Sequence, residues 1–134
     1  MNESLLIPGG ALLGIGAVVH VVIFVLESLL WSRPNVWRSF GLRTAEAAAN
    51  VRPMAFNQGF YNLFLALGVI IGVVLIVATA AQQAGITLLL ASGISMVLAA
   101  TVLIASSPKL ARAAAIQGLA PLFGVVLVTA SLLV

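Results

Sequence analysis

The sequence predicts an all-α integral membrane protein, a single domain over residues 1–134 built as a bundle of four spanning helices, and three observations carry that prediction. Hydrophobic residues fill 63% of the 134 positions and charged residues only 7%, which leaves too little charge for the surface of a water-soluble domain. Four apolar runs, each long enough to cross a bilayer, occupy almost the whole chain. All six Lys and Arg residues lie between the first and second runs or between the third and fourth. The positive-inside rule then puts both basic segments in the cytoplasm and both chain ends outside it (N-out, C-out).

The first run extends from about Leu5 to Trp31. Met1-Asn2-Glu3-Ser4 ahead of it carries no basic residue, and no early small-residue cleavage site follows, so a retained helix is expected rather than a signal peptide. Trp31 and Trp37 mark its interfacial end. From Ser32 to Pro53 the chain is polar and carries Arg33, Arg38, Arg43 and Arg52, with a short amphipathic helix expected around Thr44 to Val51. This is the longest loop.

The second run, about Met54 to Ala80, opens with Asn57-Gln58-Gly59-Phe60-Tyr61-Asn62 and then becomes almost purely aliphatic. Gln82-Gln83-Ala84-Gly85 reads as a tight, uncharged turn into the third run, about Ile86 to Ala105, where Ser92, Gly93, Ser95 and Thr101 are small packing residues. Ser106-Ser107-Pro108-Lys109 breaks the chain again, and the fourth run, about Ala113 to Leu133, contains Gln117 and Pro121.

The formal net charge of +3 would suggest a nucleic-acid partner in a soluble protein, but topology accounts for these cations and no such partner is expected. The chain has no cysteine and one histidine, which removes disulfides, thiolate nucleophiles and a multi-histidine metal site. No metal and no cofactor is expected; haem ligation by His20 lacks a second ligand or an attachment motif. The cell inner (plasma) membrane is the expected location, with the long loop cytoplasmic.

Candidate functional residues are those that are costly in lipid. His20 lies about eleven residues, roughly 16 Å, inside the cytoplasmic end of the first helix. Glu27 follows two helical turns later, so both are expected on one face, with Phe24 between them and Trp31 extending the stripe. A carboxylate within a spanning helix costs about 3 kcal/mol on insertion scales. Glu27 is therefore expected to face other helices, either paired with Arg43 or Arg52 or serving as a proton donor and acceptor. On the second helix Asn57 and Tyr61 are four apart, as are Gln58 and Asn62, giving two adjacent polar stripes beside Gly59. Gln117 enters from the same side of the membrane, and Pro121 frees its carbonyl from the usual helical partner. A single cytoplasm-facing pocket lined by His20, Glu27, Asn57, Tyr61, Asn62 and Gln117 is the expectation, beneath an outer half that is almost wholly aliphatic.

These residues also carry a resemblance. His20-x-x-Ile23-Phe24-x-x-Glu27-x-x-x-Trp31, then Phe40, then Asn57-Gln58-Gly59-Phe60-Tyr61-Asn62 followed by Phe64-Leu65-Ala66, and lastly Gln117-Gly118 and Pro121 resemble the bacterial four-helix membrane proteins catalogued as domain of unknown function 1304. The resemblance implies the fold and the place of the site, and it brings no established activity.

The leading functional expectation is acid-base chemistry, such as an isomerisation or an epoxide opening, on a hydrophobic small molecule or lipid. His20, Glu27 and Tyr61 are its candidate catalytic residues, and Phe24, Trp31, Asn57, Gln58, Asn62 and Gln117 its candidate binding residues. The alternative is a non-catalytic interaction subunit whose polar cluster holds helices together, with Gly68, Gly72, Gly93 and Gly124 allowing close contacts. A proton-coupled transporter ranks third, because the outer half is apolar. A homo-oligomer is a further expectation.

Overall fold

A computed structural model describes residues 1–134. Helix α1 (Glu3–Phe24) runs on into one π-helical turn, Val25–Leu29, and α2 (Pro34–Ser39) lies in the connection that follows. Helices α3 (Ala45–Ala78), α4 (Gln82–Ser106) and α5 (Ala111–Leu133) complete the chain, with a 3-10 turn at Pro108–Leu110. Four helices are long and apolar enough to cross a membrane. They stand antiparallel in the cyclic order α1, α3, α4, α5, with α1 closing on α5. Their outward residues are apolar too, Val18, Ile71, Val77 and Val102 among them, because lipid replaces water around the bundle.

Small residues set the helix spacing. On α1, Gly9 lies against Gly124 and Val128, and Gly16 against Pro121. A Cβ on Gly124 would sit 2.9 Å from the Gly9 carbonyl oxygen and 2.8 Å from Leu13. On the opposite side Gly72 and Gly85 face each other, a Cβ on the first falling 2.9 Å from the carbonyl oxygen of the second. Without a hydrophobic drive between helices in lipid, such backbone approach supplies the packing contact. Leu13, Val69, Leu89, Met96 and Val128 fill the space between the four helices and are fully buried.

The element ends follow local chemistry. Asn2 Oδ1 accepts from the Ser4 N–H at 3.0 Å and starts α1. Thr44 Oγ1 accepts from the Ala47 N–H at 3.1 Å, with Glu46 in the first turn, and starts α3 nine residues before the expected Met54. The short helix expected at Thr44 to Val51 is thus the first part of α3. Pro53 removes one backbone donor but does not end the helix, because Ala48 and Ala55 on either side of it are packed into a second core.

That core caps the basic end. Trp31, Val36, Trp37, Ala48 and Ala55 are buried together, with Phe40 and Leu42 against them. The Trp31 indole N–H donates to the Ala48 carbonyl at 3.0 Å, and its ring lies 5.3 Å from that of Phe40. Gly41 turns the chain with φ 86°, a left-handed conformation that glycine takes without strain. The tight turn expected at Gln82 to Gly85 is instead the first turn of α4. The reversal occurs at Thr79 to Ala81, where the Thr79 hydroxyl donates to the Leu75 carbonyl and accepts from the Ala81 N–H. Gly85 serves the contact with Gly72, not the turn.

The up-and-down order brings the two basic connections to one end. Arg33, Arg38, Arg43, Arg52, Lys109 and Arg112 are all exposed there, while the other end carries Glu3 and the α3–α4 turn.

Candidate functional site

Glu27, Ser28 and Asn62 meet where the C-terminal end of α1 and its π-helical turn pack on α3. The α3 face toward α1 is the heptad-spaced stripe Ala55, Gly59, Asn62 and Ala66; all but Asn62, which is half-buried, are buried. Gly59 is the point of closest approach. A Cβ there would fall on Ser28 Oγ and lie 3.2 Å from both the Glu27 Cβ and the Phe24 carbonyl oxygen. Ser28 Oγ donates to the Phe56 carbonyl at 2.9 Å, tying the π-helical turn to α3.

Glu27 sits in the middle of that turn, where the Leu30 N–H bonds to the Val25 carbonyl at 2.9 Å, five residues back. Such turns insert a residue into a helix and recur at functional sites. Glu27 is 8% exposed. Asn62 Nδ2 donates to Glu27 Oε2 at 3.2 Å and to the Gln58 carbonyl at 3.0 Å, so both its hydrogens are engaged. Asn62 is the carboxyl group's only side-chain partner: neither Arg43 nor Arg52 pairs with it. Glu27 Oε1 has no partner within the chain. It reaches the surface, because His20 Nε2 is the only buried side-chain nitrogen or oxygen left without a bond.

His20 is fully buried and takes its own place in the bundle. Its Nδ1 lies 2.9 Å from the Gly16 carbonyl oxygen; a carbonyl accepts, so Nδ1 carries the hydrogen. The two stripes separate at the π-helical turn. His20 continues the buried line Gly9, Leu13 and Gly16, which faces α5, whereas Glu27 meets α3. On the expected common face, the two side chains bond to different partners: His20 to its own helix at Gly16 and Glu27 to Asn62 on α3.

The other expected site residues divide. Phe24 packs edge-on against Phe60 at 5.1 Å between ring centres, and Phe56 and Phe64 extend that row along α3. Gln58 contributes its backbone carbonyl to Asn62 while its side chain is exposed. Asn57 and Tyr61 lie on the opposite side of α3 from the packed stripe, Tyr61 with 59% of its surface exposed, and neither side chain bonds to Glu27. Trp31 is taken up by the cap. Gln117 is half-buried on α5 and forms no side-chain hydrogen bond. The six residues therefore do not line one pocket. Phe24 is an expected site residue, whereas Ser28 and the α3 phenylalanines Phe56, Phe60 and Phe64 are not, although the Ala55, Gly59 and Ala66 spacing marks the packed face that selects Asn62 over Tyr61.

Two concave surfaces lie elsewhere and are mainly apolar. A groove of about 400 Å³ between α1 and α3 is lined by Gly14, Val18, Val22, Ile70 and Val74 among others, and one of about 230 Å³ lies between α4 and α5. No three His, Cys, Asp or Glu side chains gather as they would around a metal ion. Chemically, the Glu27 site offers one held and one free carboxyl oxygen beside the Asn62 Oδ1 acceptor. Such a group can accept a hydrogen bond from a bound molecule and exchange a proton with it.

No curated protein and no solved structure matches the chain. Residues 14–129 match the family model described as protein of unknown function (DUF1304). That match takes in part or all of every membrane-crossing helix and every residue of the Glu27 site, and the chain belongs to this family of proteins of unknown function.

Proposed function

We propose that the protein binds a hydrophobic small molecule or lipid at the Glu27 end of the α1–α3 contact and carries out acid-base chemistry on it, with Glu27 exchanging the proton. The observation that carries this reading is the carboxyl group itself: Oε2 is fixed by Asn62, no cation neutralises it, and Oε1 is open. A polar group so placed in a spanning segment is costly and points to a use. Asn62 positions the carboxyl, and the Phe24–Phe60 contact gives an apolar body a surface beside it. An isomerisation or an epoxide opening fits a single proton-exchanging carboxyl. His20 and Tyr61 form no hydrogen bond with Glu27, and the reading gives them no part in that step. The basic end is the cytoplasmic one in this proposal, in the plasma membrane, by the positive-inside rule.

An interaction subunit is less well supported. Gly68, Gly72, Gly93 and Gly124, the residues that would serve contacts with other chains, are all used against Ser92, Gly85, Leu13 and Gly9 of the same chain. Transport has no polar path through the far half, where buried Ser131 bonds to its own helix.

The test is native mass spectrometry of the protein purified in mild detergent, with extraction and identification of whatever organic molecule accompanies it. Wild type should carry a defined molecule, and Glu27→Gln, which keeps an amide acceptor but cannot exchange a proton, should still carry it while showing no turnover. A wild-type protein that carries nothing, or equal turnover in both, overturns the proposal.

A further inference from the structure

The Glu27 site has a hydrogen-bond polarity that narrows what can bind there. Asn62 carries two amide hydrogens, and both are engaged: Nδ2 donates to Glu27 Oε2 at 3.2 Å and to the Gln58 carbonyl at 3.0 Å. The same pattern fixes which way round the amide stands, because with Oδ1 in the place of Nδ2 an acceptor would face the Gln58 carbonyl, another acceptor. Oδ1 can therefore only accept, and no group of the chain bonds to it. Like Glu27 Oε1 it is open to the surface, since neither oxygen is among the buried atoms left without a bond. Each is the second atom of a planar group whose first is fixed in the Asn62–Glu27 bond, which keeps the two close to each other.

The neighbouring donors are used elsewhere. The Ser28 hydroxyl donates to the Phe56 carbonyl and the Trp31 indole to the Ala48 carbonyl. Two oxygens thus stand side by side in a spanning segment with no donor from the chain, and an acceptor left so away from water is costly. An ester, ketone, ether or epoxide oxygen only accepts, and it would leave Asn62 Oδ1 unpaired. An ammonium donates, but it has no lone pair to receive a proton from Glu27, and the six cations exposed at the same end repel it. A hydroxyl meets both demands. Its hydrogen goes to Asn62 Oδ1, and its oxygen faces Glu27 Oε1 with a lone pair that can take a proton and return it. Phe24, Phe56 and Phe60 beside the carboxyl suit an apolar body attached to that hydroxyl.

We infer that the ligand of the Glu27 site is a neutral, hydroxyl-bearing amphiphile, recognised by donation of its hydroxyl hydrogen to Asn62 Oδ1. This rests on the function proposed above and narrows it: a substrate for isomerisation or epoxide opening carries a hydroxyl next to its reacting group, and Asn62 selects for it. Asn62 thus recognises the ligand as well as positioning the carboxyl.

The test compares hexadecanol, hexadecyl methyl ether and hexadecylamine, which share one apolar chain and differ in the polar end. Each is titrated into the whole protein in mild detergent, and the bound molecule is counted by native mass spectrometry. The alcohol should load saturably, and the ether, which cannot donate, at about tenfold lower affinity or weaker. Asn62→Leu should bind alcohol and ether alike, whereas Glu27→Gln should keep the preference for the alcohol. No loading of the alcohol, or an ether or amine bound as tightly by the wild type, overturns the inference. So does a preference for the alcohol that survives in folded Asn62→Leu or is lost in Glu27→Gln. Should Asn62→Leu not fold, the wild-type and Glu27→Gln titrations decide. The molecule that accompanies the purified protein separates this inference from the reading beneath it. One that wild type turns over and Glu27→Gln does not, yet that lacks a hydroxyl, overturns the inference alone. One with a hydroxyl that both turn over equally supports recognition by Asn62 and overturns the acid-base role of Glu27.

Discussion

Replacing Gly59 by alanine tests whether the π-helical turn is held against α3 as described. The new methyl would occupy the place of Ser28 Oγ and press on the Glu27 Cβ and the Phe24 carbonyl, each 3.2 Å away. The Ser28 hydroxyl must leave, and with it the 2.9 Å bond to Phe56, worth about 1 kcal/mol. Crowding of a well-packed contact adds about 1–3 kcal/mol. Alanine's better helix propensity returns about 1 kcal/mol. The net expectation is a loss of about 1–3 kcal/mol. It is measured by reversible unfolding of the detergent-solubilised protein, followed by circular dichroism through a denaturing-detergent titration. Gly10→Ala and Gly14→Ala are the controls: a Cβ at either position meets nothing within 4 Å, so each should be neutral or stabilising by up to about 1 kcal/mol. Adding Ser28→Ala to Gly59→Ala removes the displaced hydroxyl and should recover part of the loss. If Gly59→Ala proves as stable as Gly10→Ala, the close approach of Ser28 and Gly59 is wrong, and the placement of Glu27 with it.

Three further outcomes are expected. Asn62→Leu removes the donor to both Glu27 Oε2 and the Gln58 carbonyl; it should lower stability by about 1–3 kcal/mol and weaken ligand loading, and unchanged loading would remove its positioning role. Trp31→Phe keeps an aromatic ring but loses the bond to Ala48, so limited proteolysis between Ser32 and Thr44 should speed up several-fold, in line with a loss of about 1 kcal/mol; an unchanged cleavage rate argues against the cap. The chain has no cysteine, so single cysteines at Ser107 and Gln82 can be labelled in intact cells with a membrane-impermeant maleimide. Gln82→Cys should react and Ser107→Cys should not; the reverse pattern would invert the proposed orientation.

The spans were legible because lipid imposes a simple demand: long runs without charge can hardly be anything else, and the helices Glu3–Leu29 and Pro108–Leu133 lie close to the runs read for them. The start of α3 was not, because Pro53 reads as a break where packing of Ala48 and Ala55 carries the helix through it. The residues of the site were legible by their cost in lipid, their grouping less so. Asn57 with Tyr61 and Gln58 with Asn62 are equivalent pairs by spacing, and only the glycine and alanines that α1 packs against tell which side is inside. The π-helical turn left no mark in the sequence. Its contacts with α3 run through Ser28 and Glu27, whose partners Phe56 and Asn62 are 28 and 35 residues distant.

The length of α3 has a mechanical consequence. Its 34 residues extend about 51 Å at 1.5 Å each, against a hydrocarbon thickness of about 30 Å. One continuous rod thus joins the tryptophan cap at one membrane face to the Gly72–Gly85 contact toward the other, and a load on the cap is felt at both. Along that rod Pro53 alone lacks a backbone donor, so any flexing concentrates there. Pro53 lies within the cap, between Ala48 and Ala55, so the packing of those two residues braces the rod at its one weak point.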